Sequence, residues 1–365
     1  MHRKVLPLLL VAIPSAAMAD HLSGGFGLQS SAPFWTESAQ TLNKGKIAAG
    51  VRAEYLQLRP YSDEKLSDLR RADGAANPDL YQEGAADHDR QANLHSVNDL
   101  LGGSFRLAYG ITDDVTVGLR LPFVYRDGIR EVSDGHFEDG EHHGTNNIAN
   151  HGSSEGIGDM SFWGQYQFFK DSKQSAALLL GMKAPTGETT NEGYKRYYKH
   201  TTGADLALPA DVTSKRLETH LQPGSGSWDG MFGLAYGYDL GVVQLNSSVM
   251  YTLVTKGSQD TDLGDSFNYD FAASLPVKSF TPCAACSWNL VLEANGEWRD
   301  QEKRGNNITI GNSGKNTLYI SPGIRFISGQ NWNVGTSVGY AVMHDLRGNQ
   351  SDPDYRIMGA FNMAI

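Results

Sequence analysis

The chain has no run of about 18 apolar residues, so no helical membrane span is expected. It is short of positive charge. The formal net charge is −10, and phosphate contact needs a basic surface, so a nucleic-acid partner is excluded. Cysteine is scarce, with Cys283 and Cys286 alone in 365 residues. No nucleophile elbow is read in the chain, because Gly224-Ser225-Gly226-Ser227 does not supply one. No outward-facing Ser–His pair falls on neighbouring strands. Neither an enzyme nor a bound cofactor is therefore expected.

What is present begins with an export signal. Met1-His2-Arg3-Lys4 is a basic start, Val5 to Ile13 a short apolar run, and Ala17-Met18-Ala19 a small-x-small cleavage pattern. Residues 1–19 read as a signal peptide removed before Asp20. Loss of Arg3 and Lys4 takes the charge from −10 to −12. Export places the two cysteines in an oxidising compartment, where a local Cys283–Cys286 disulfide is favoured. Ser287 follows the pair where haem attachment would need His, and no helical redox context surrounds it.

From residue 45 onward the dominant signal is alternation. Val115, Val117, Leu119, Leu121, Phe123 and Tyr125 face one way; Thr116, Gly118, Arg120, Pro122 and Arg126 face the other. The last residues repeat the pattern, with Tyr355, Ile357, Gly359, Phe361, Met363 and Ile365 opposite Arg356, Met358, Ala360, Asn362 and Ala364. Side chains of a strand switch face at every residue, so one face is greasy and the other polar. A dry core could not hold two unpaired arginines on one face, whereas a wet lumen can. Twelve such segments, joined alternately by short turns and long loops, predict an all-β transmembrane antiparallel barrel. The turns are periplasmic and the loops extracellular in that reading. Tyr and Trp near strand ends, such as Tyr109, Tyr125 and Trp298, suit interfacial belts. The expected organisation is a signal peptide (1–19), a periplasmic or lumen-mouth segment (20–44) and the barrel (45–365). Expected strand four covers about 156–169, after an acidic loop of about 127–155.

Several short motifs then point to a family. Asn43-Lys44-Gly45-Lys46 leads into Arg52 to Tyr55. Gly156-Ile157-Gly158-Asp159 precedes an aromatic strand, and Ala184-Pro185-Thr186-Gly187 closes the next. Leu221-Gln222-Pro223-Gly224-Ser225-Gly226-Ser227-Trp228 and Ser321-Pro322-Gly323 complete the set. Over most of the mature chain this resembles the outer-membrane transporter family labelled for the MetA pathway of phenol degradation. The resemblance implies a Gram-negative outer-membrane barrel for small organic or aromatic compounds.

A barrel carries its selectivity on the lumen face. The alternation places Arg52, Glu54, Arg106, Arg120, Arg126, Asp159, Glu293, Glu297 and Arg325 there as candidate pore-lining residues. The expected function is passive diffusion of small organic, aromatic or polar solutes, with outer-membrane lipid and the solute as partners. Arg52, Arg106 and Arg120, on the first three strands, would form one basic wall if their heights match. The same charges could instead pair across the lumen and fill it. The acidic, His-bearing stretch from Glu131 to His151 lacks metal-site spacing on a rigid element, and reads as a solvated loop. The competing function is a loop-driven binding or adhesion barrel without conduction, with or without metal capture.

Overall fold

The computed structural model describes residues 33–76, 94–133, 136–138, 141–143, 147–198, 213–277, 285–329 and 331–364. The expected signal peptide lies outside them. Thirteen long strands build one closed wall. They are β1 (Ile47–Arg59), β2 (Asp99–Gly110), β3 (Val115–Ser133), β4 (Asn147–Ile157), β5 (Ser161–Lys170), β6 (Gln174–Lys183) and β7 (Asp229–Asp239). Then come β8 (Gln244–Leu253), β9 (Ser266–Val277), β10 (Cys286–Arg299), β11 (Lys315–Ser328), β12 (Trp332–Leu346) and β13 (Asp352–Ala364).

Each strand pairs antiparallel with its neighbours, and β1 pairs with both β2 and β13, which closes the ring. The strands fill twelve positions, because β4 and β5 share one. Both pair with β3: β5 along Val115–Arg120, and β4 along Phe123–Ser133. Closure leaves no open edge facing lipid, where unpaired backbone groups could find no partner.

The faces sort as the alternation predicts. Val51, Phe105, Phe232, Leu292 and Phe361 are exposed on the outside. Arg52, Arg106, Glu293, Thr317 and Arg325 are buried on the inside. Greasy outside and polar inside is the reverse of a water-soluble barrel, and it suits a wall set in a bilayer. Small inner residues let bulky ones fill the lumen. A Cβ at Gly118 would stand 2.6 Å from the ring of Trp163, its inner-face neighbour on β5.

The expected strand four differs from the observed one. β3 runs on to Ser133 and β4 begins at Asn147, so much of the expected loop is strand. This extension stands above the apolar band, where its outer face has no reason to be greasy, so the alternation that betrays the other strands is missing. Helix α1 (Asp63–Ala76) packs beside it. Leu66 is buried with Leu94, Val132 and Ile148, and Arg130 meets Asp63 at 2.6 Å.

Candidate functional site: a plugged lumen

Residues 33–44 lie inside the barrel. The carboxylate of Glu293, on the inner face of β10, gathers the segment. It accepts the backbone N–H of Phe34 (3.1 Å), Trp35 (3.1 Å) and Thr36 (3.0 Å), and the Thr36 hydroxyl (2.8 Å). Arginines stack on the two aromatic rings. Arg52 and Arg356 lie 4.4 and 3.5 Å from the Trp35 ring centre, and Arg325 lies 4.4 Å from that of Phe34. A guanidinium face is weakly hydrated and attracted to an aromatic face, so burial strengthens this contact.

Below Thr36 the chain descends toward the turn end. Glu37 N–H donates to Ser248 Oγ (3.0 Å). The amides of Gln165 and Gln167 donate to the carbonyls of Ser38 and Ala39, both at 2.8 Å. Leu42 N–H reaches Thr116 Oγ1 (2.8 Å), and Gly45 N–H reaches the Gly110 carbonyl beside the first turn (2.8 Å). A cavity of about 480 Å³ opens below, lined by Gln40 to Asn43 and the turn residues Lys170 to Ser175. A much smaller one, about 40 Å³, adjoins Trp35 and Glu37 within the lumen, between Asp270, Glu297, Tyr319 and Arg356.

Of the nine candidate pore residues, eight lie on inner faces of strands and Asp159 in a break between two strands, and they serve different neighbourhoods. Arg106 pairs in register with Arg120 across β2 and β3, and with Gly50 on β1, two residues from Arg52. Arg106 and Arg120 therefore share a height, and Arg52 lies two residues along the strand from them. Arg52 also meets Glu54 at 3.2 Å. Glu293 and Arg325 hold the plug. Glu297 is bridged by Lys315 (3.0 Å) and Arg299 (3.1 Å), at the edge of the small cavity.

Arg126 and Asp159 instead fasten the long loops. Arg126 donates to the carbonyls of Leu221 (3.3 Å) and Gln222 (3.1 Å). Asp159 sits in the break between β4 and β5, where three motifs noted in the sequence converge. It accepts Gly187 N–H (2.9 Å), Ser225 N–H (2.8 Å) and the Ser225 hydroxyl (2.6 Å). Lys183 lies 3.3 Å from it and 2.5 Å from Asp229. Only glycine permits this crossing. A Cβ on Gly187 would meet the Gly158 carbonyl carbon at 2.7 Å, and one on Gly224 would meet Gly187 at the same distance.

Higher still, Arg304 joins Glu218 (2.9 Å) to Glu302 (3.1 Å) between two loops. Burial pushes the Glu218 carboxyl up, but the charge and hydrogen bond of Arg304, helped by His220 and His95, outweigh it and hold it at about 2. For Arg304, burial lowers the guanidinium, yet the two carboxylates outweigh that and raise it above its ordinary value.

Two further sequence readings meet the structure here. Gly152-Ser153-Ser154-Glu155-Gly156 spells the nucleophile-elbow pattern, but it lies within β4 or at its end rather than at a strand-to-helix turn. Cys286 is disulfide-bonded, and Cys283, the only other cysteine in the chain, lies outside the described residues. The sequence allows residues 20–44 a lumen-mouth place but gives Phe34 and Trp35 no role there. They sit in an irregular Gly- and Ser-rich stretch, and only their aromatic character in an otherwise small-residue segment could have drawn notice.

The model of the family described as "Putative MetA-pathway of phenol degradation" matches residues 193–345. The family resembled in the sequence is the family matched. Among solved structures, an outer-membrane channel from Pseudomonas putida F1 aligns with a TM-score of 0.53 at 12% identity, covering 90% of this chain and 98% of that one. A toluene transporter from P. putida aligns at 0.45 and 7% identity, over 93% and 99% of the two chains. The β domain of a Bordetella autotransporter aligns at 0.43 and 10% identity, over 87% and 98%. No curated protein matches the chain. At such identities the likeness to the F1 channel concerns the fold. With the closed wall and its apolar exterior, it makes the protein an outer-membrane β-barrel.

Proposed function

We propose that the protein is an outer-membrane channel through which small organic solutes diffuse passively, gated by its own N-terminal segment. The preferred solutes carry an aromatic ring, a carboxylate or both. The observation that carries this reading is Trp35 held between Arg52 and Arg356. The lumen already accommodates an aromatic group stacked on guanidinium, in a segment outside the barrel strands. If that segment withdraws, the same arginines face an aqueous path, with Arg106 and Arg120 continuing the basic wall. Arg52, Glu54, Arg106, Arg120, Glu293, Glu297 and Arg325 then line the path, while Arg126 and Asp159 keep the loops in place above it. The phenol-degradation label of the matching family supports an aromatic solute.

Liposome swelling with purified, refolded protein tests this. The Phe34→Ala/Trp35→Ala double variant should admit benzoate faster than the native chain, and benzoate should enter faster than an uncharged sugar of similar size. Equal and negligible entry for both proteins would favour the binding barrel, a reading that rests on how completely the plug and the folded-in loops fill the lumen.

A further inference from the structure

Three long loops that are far apart in sequence meet at one buried imidazole. His220 lies in a single 3-10 turn, Thr219–Leu221, and is fully buried. His95, from the loop after β1, brings its Nε2 to 2.8 Å from His220 Nε2, with ring centres 4.5 Å apart. Glu218 precedes the turn, and ligand-capable atoms of His95, Glu218 and His220 all lie within 4.8 Å of one another. His220 Nδ1 faces Glu302 Oε2 at 3.3 Å, and Glu218 Oε2 lies 3.7 Å from the same nitrogen. Arg304 holds the opposite oxygen, Oε1, of both carboxylates.

We propose that His95, His220 and Glu218 form a binding site for a divalent transition-metal cation of the zinc class. Two borderline imidazole nitrogens beside one hard carboxylate suit zinc and its neighbours and suit the all-oxygen preference of calcium or magnesium poorly. Zinc–nitrogen bonds of about 2.0–2.1 Å place two tetrahedral ligands about 3.3 Å apart, so the rings need to part by about half an ångström. Three protein ligands leave a fourth position for water. Glu302 takes the outer role. A metal-bound histidine normally donates its second N–H to a carboxylate, which fixes the ring's tautomer and orientation. Arg304 completes the arrangement by orienting both carboxylates and offsetting their charge.

The cation would join the loop following β1 to the loop following β6, with the loop following β10 supporting it through Glu302. Because the site is assembled from separate loops, metal binds the folded cap and not the unfolded chain, and stabilises it by mass action.

The test uses untagged, refolded protein in detergent, stripped with chelator and titrated with Zn²⁺ by calorimetry, with Tm followed in parallel. One equivalent should bind and Tm should rise with Zn²⁺ concentration. Glu302→Gln should weaken binding about 10–100-fold. His95→Ala should weaken it further, and since His95 is only partly buried the fold should survive, as checked by heat-modifiable migration. The His142→Ala/His143→Ala variant, in the acidic stretch, should bind as the native chain does. Cobalt in place of zinc should give visible bands that disappear in His95→Ala. Absence of saturable binding overturns the site. So does native affinity in His95→Ala, or loss of binding in the His142/His143 variant, which would assign the metal to the acidic stretch.

Discussion

The two ends of the barrel are held together by opposite means. At the turn end one extended segment, residues 33–44, enters the lumen, and a single carboxylate, Glu293, holds three of its backbone N–H groups. At the loop end many side chains from separate loops lock together through Asp159, Arg126 and Arg304. One arrangement depends on few groups and can be released as a unit. The other is a mesh in which each member supports several others. The proposed gate belongs at the first end, and a fixed frame of loops at the second.

The largest expected effect comes from cutting the mesh. Asp159→Ala removes three hydrogen bonds and leaves Lys183 beside Asp229 with one carboxylate instead of two. A buried donor left without its acceptor costs about 1–3 kcal/mol. Urea unfolding in detergent should show this as a lower midpoint, with the loop end losing protease protection first.

Glu293→Gln comes next, and acts on the gate. The amide keeps the shape but loses the charge that four donors share. Hydrogen bonds to a charged acceptor are worth about 1.5–3 kcal/mol each, so even a partial loss shifts the open population by roughly tenfold. Single-channel recordings should show longer open times with barrel stability little changed. This outcome would sharpen the contrast with Asp159→Ala, and a reversed ranking of the two would break it.

The contrast between the ends also bears on what was legible beforehand. The wall was readable, because lipid on one side and water on the other impose a period of two. Arg52, Arg106 and Arg120 could be placed on the lumen face from parity alone, but their relative heights needed the observed registers. The upper part of β3 and β4 was not readable, because no lipid faces it. What fixes the plug was not readable either. Phe34 and Trp35 are fixed by Glu293, more than 250 residues away, and no local pattern carries that pairing. His95, Glu218 and His220 share the difficulty, since separate loops bring them together only after closure.

A smaller effect is expected from the basic wall. Changing Arg52, Arg106 and Arg120 together to Gln should lower anion preference in reversal-potential measurements on an open variant such as Glu293→Gln, while the barrel stays folded. Unchanged selectivity would make the three arginines supports for the plug alone.

The smallest effect lies in a turn. The Asp171 carboxylate accepts the N–H groups of Lys173 and Gln174, both at 2.7 Å, and these hydrogen bonds hold it below its ordinary value. A depressed folded-state value means the contribution is present above the ordinary carboxylate range and is lost as pH falls through the folded value. Asp171→Ala should therefore lower Tm slightly at neutral pH, and the difference from the native chain should vanish in strong acid.

The central claim is that residues 33–44 close a lumen that otherwise conducts. Planar-bilayer conductance of the chain from Asp20 onward, beside a chain lacking the residues before Thr41, tests it most directly. The account predicts small, rare openings for the full chain and a larger, persistent, anion-preferring conductance for the shortened one, with both proteins showing the same heat-modifiable migration. Equal conductance from the two folded proteins would contradict it.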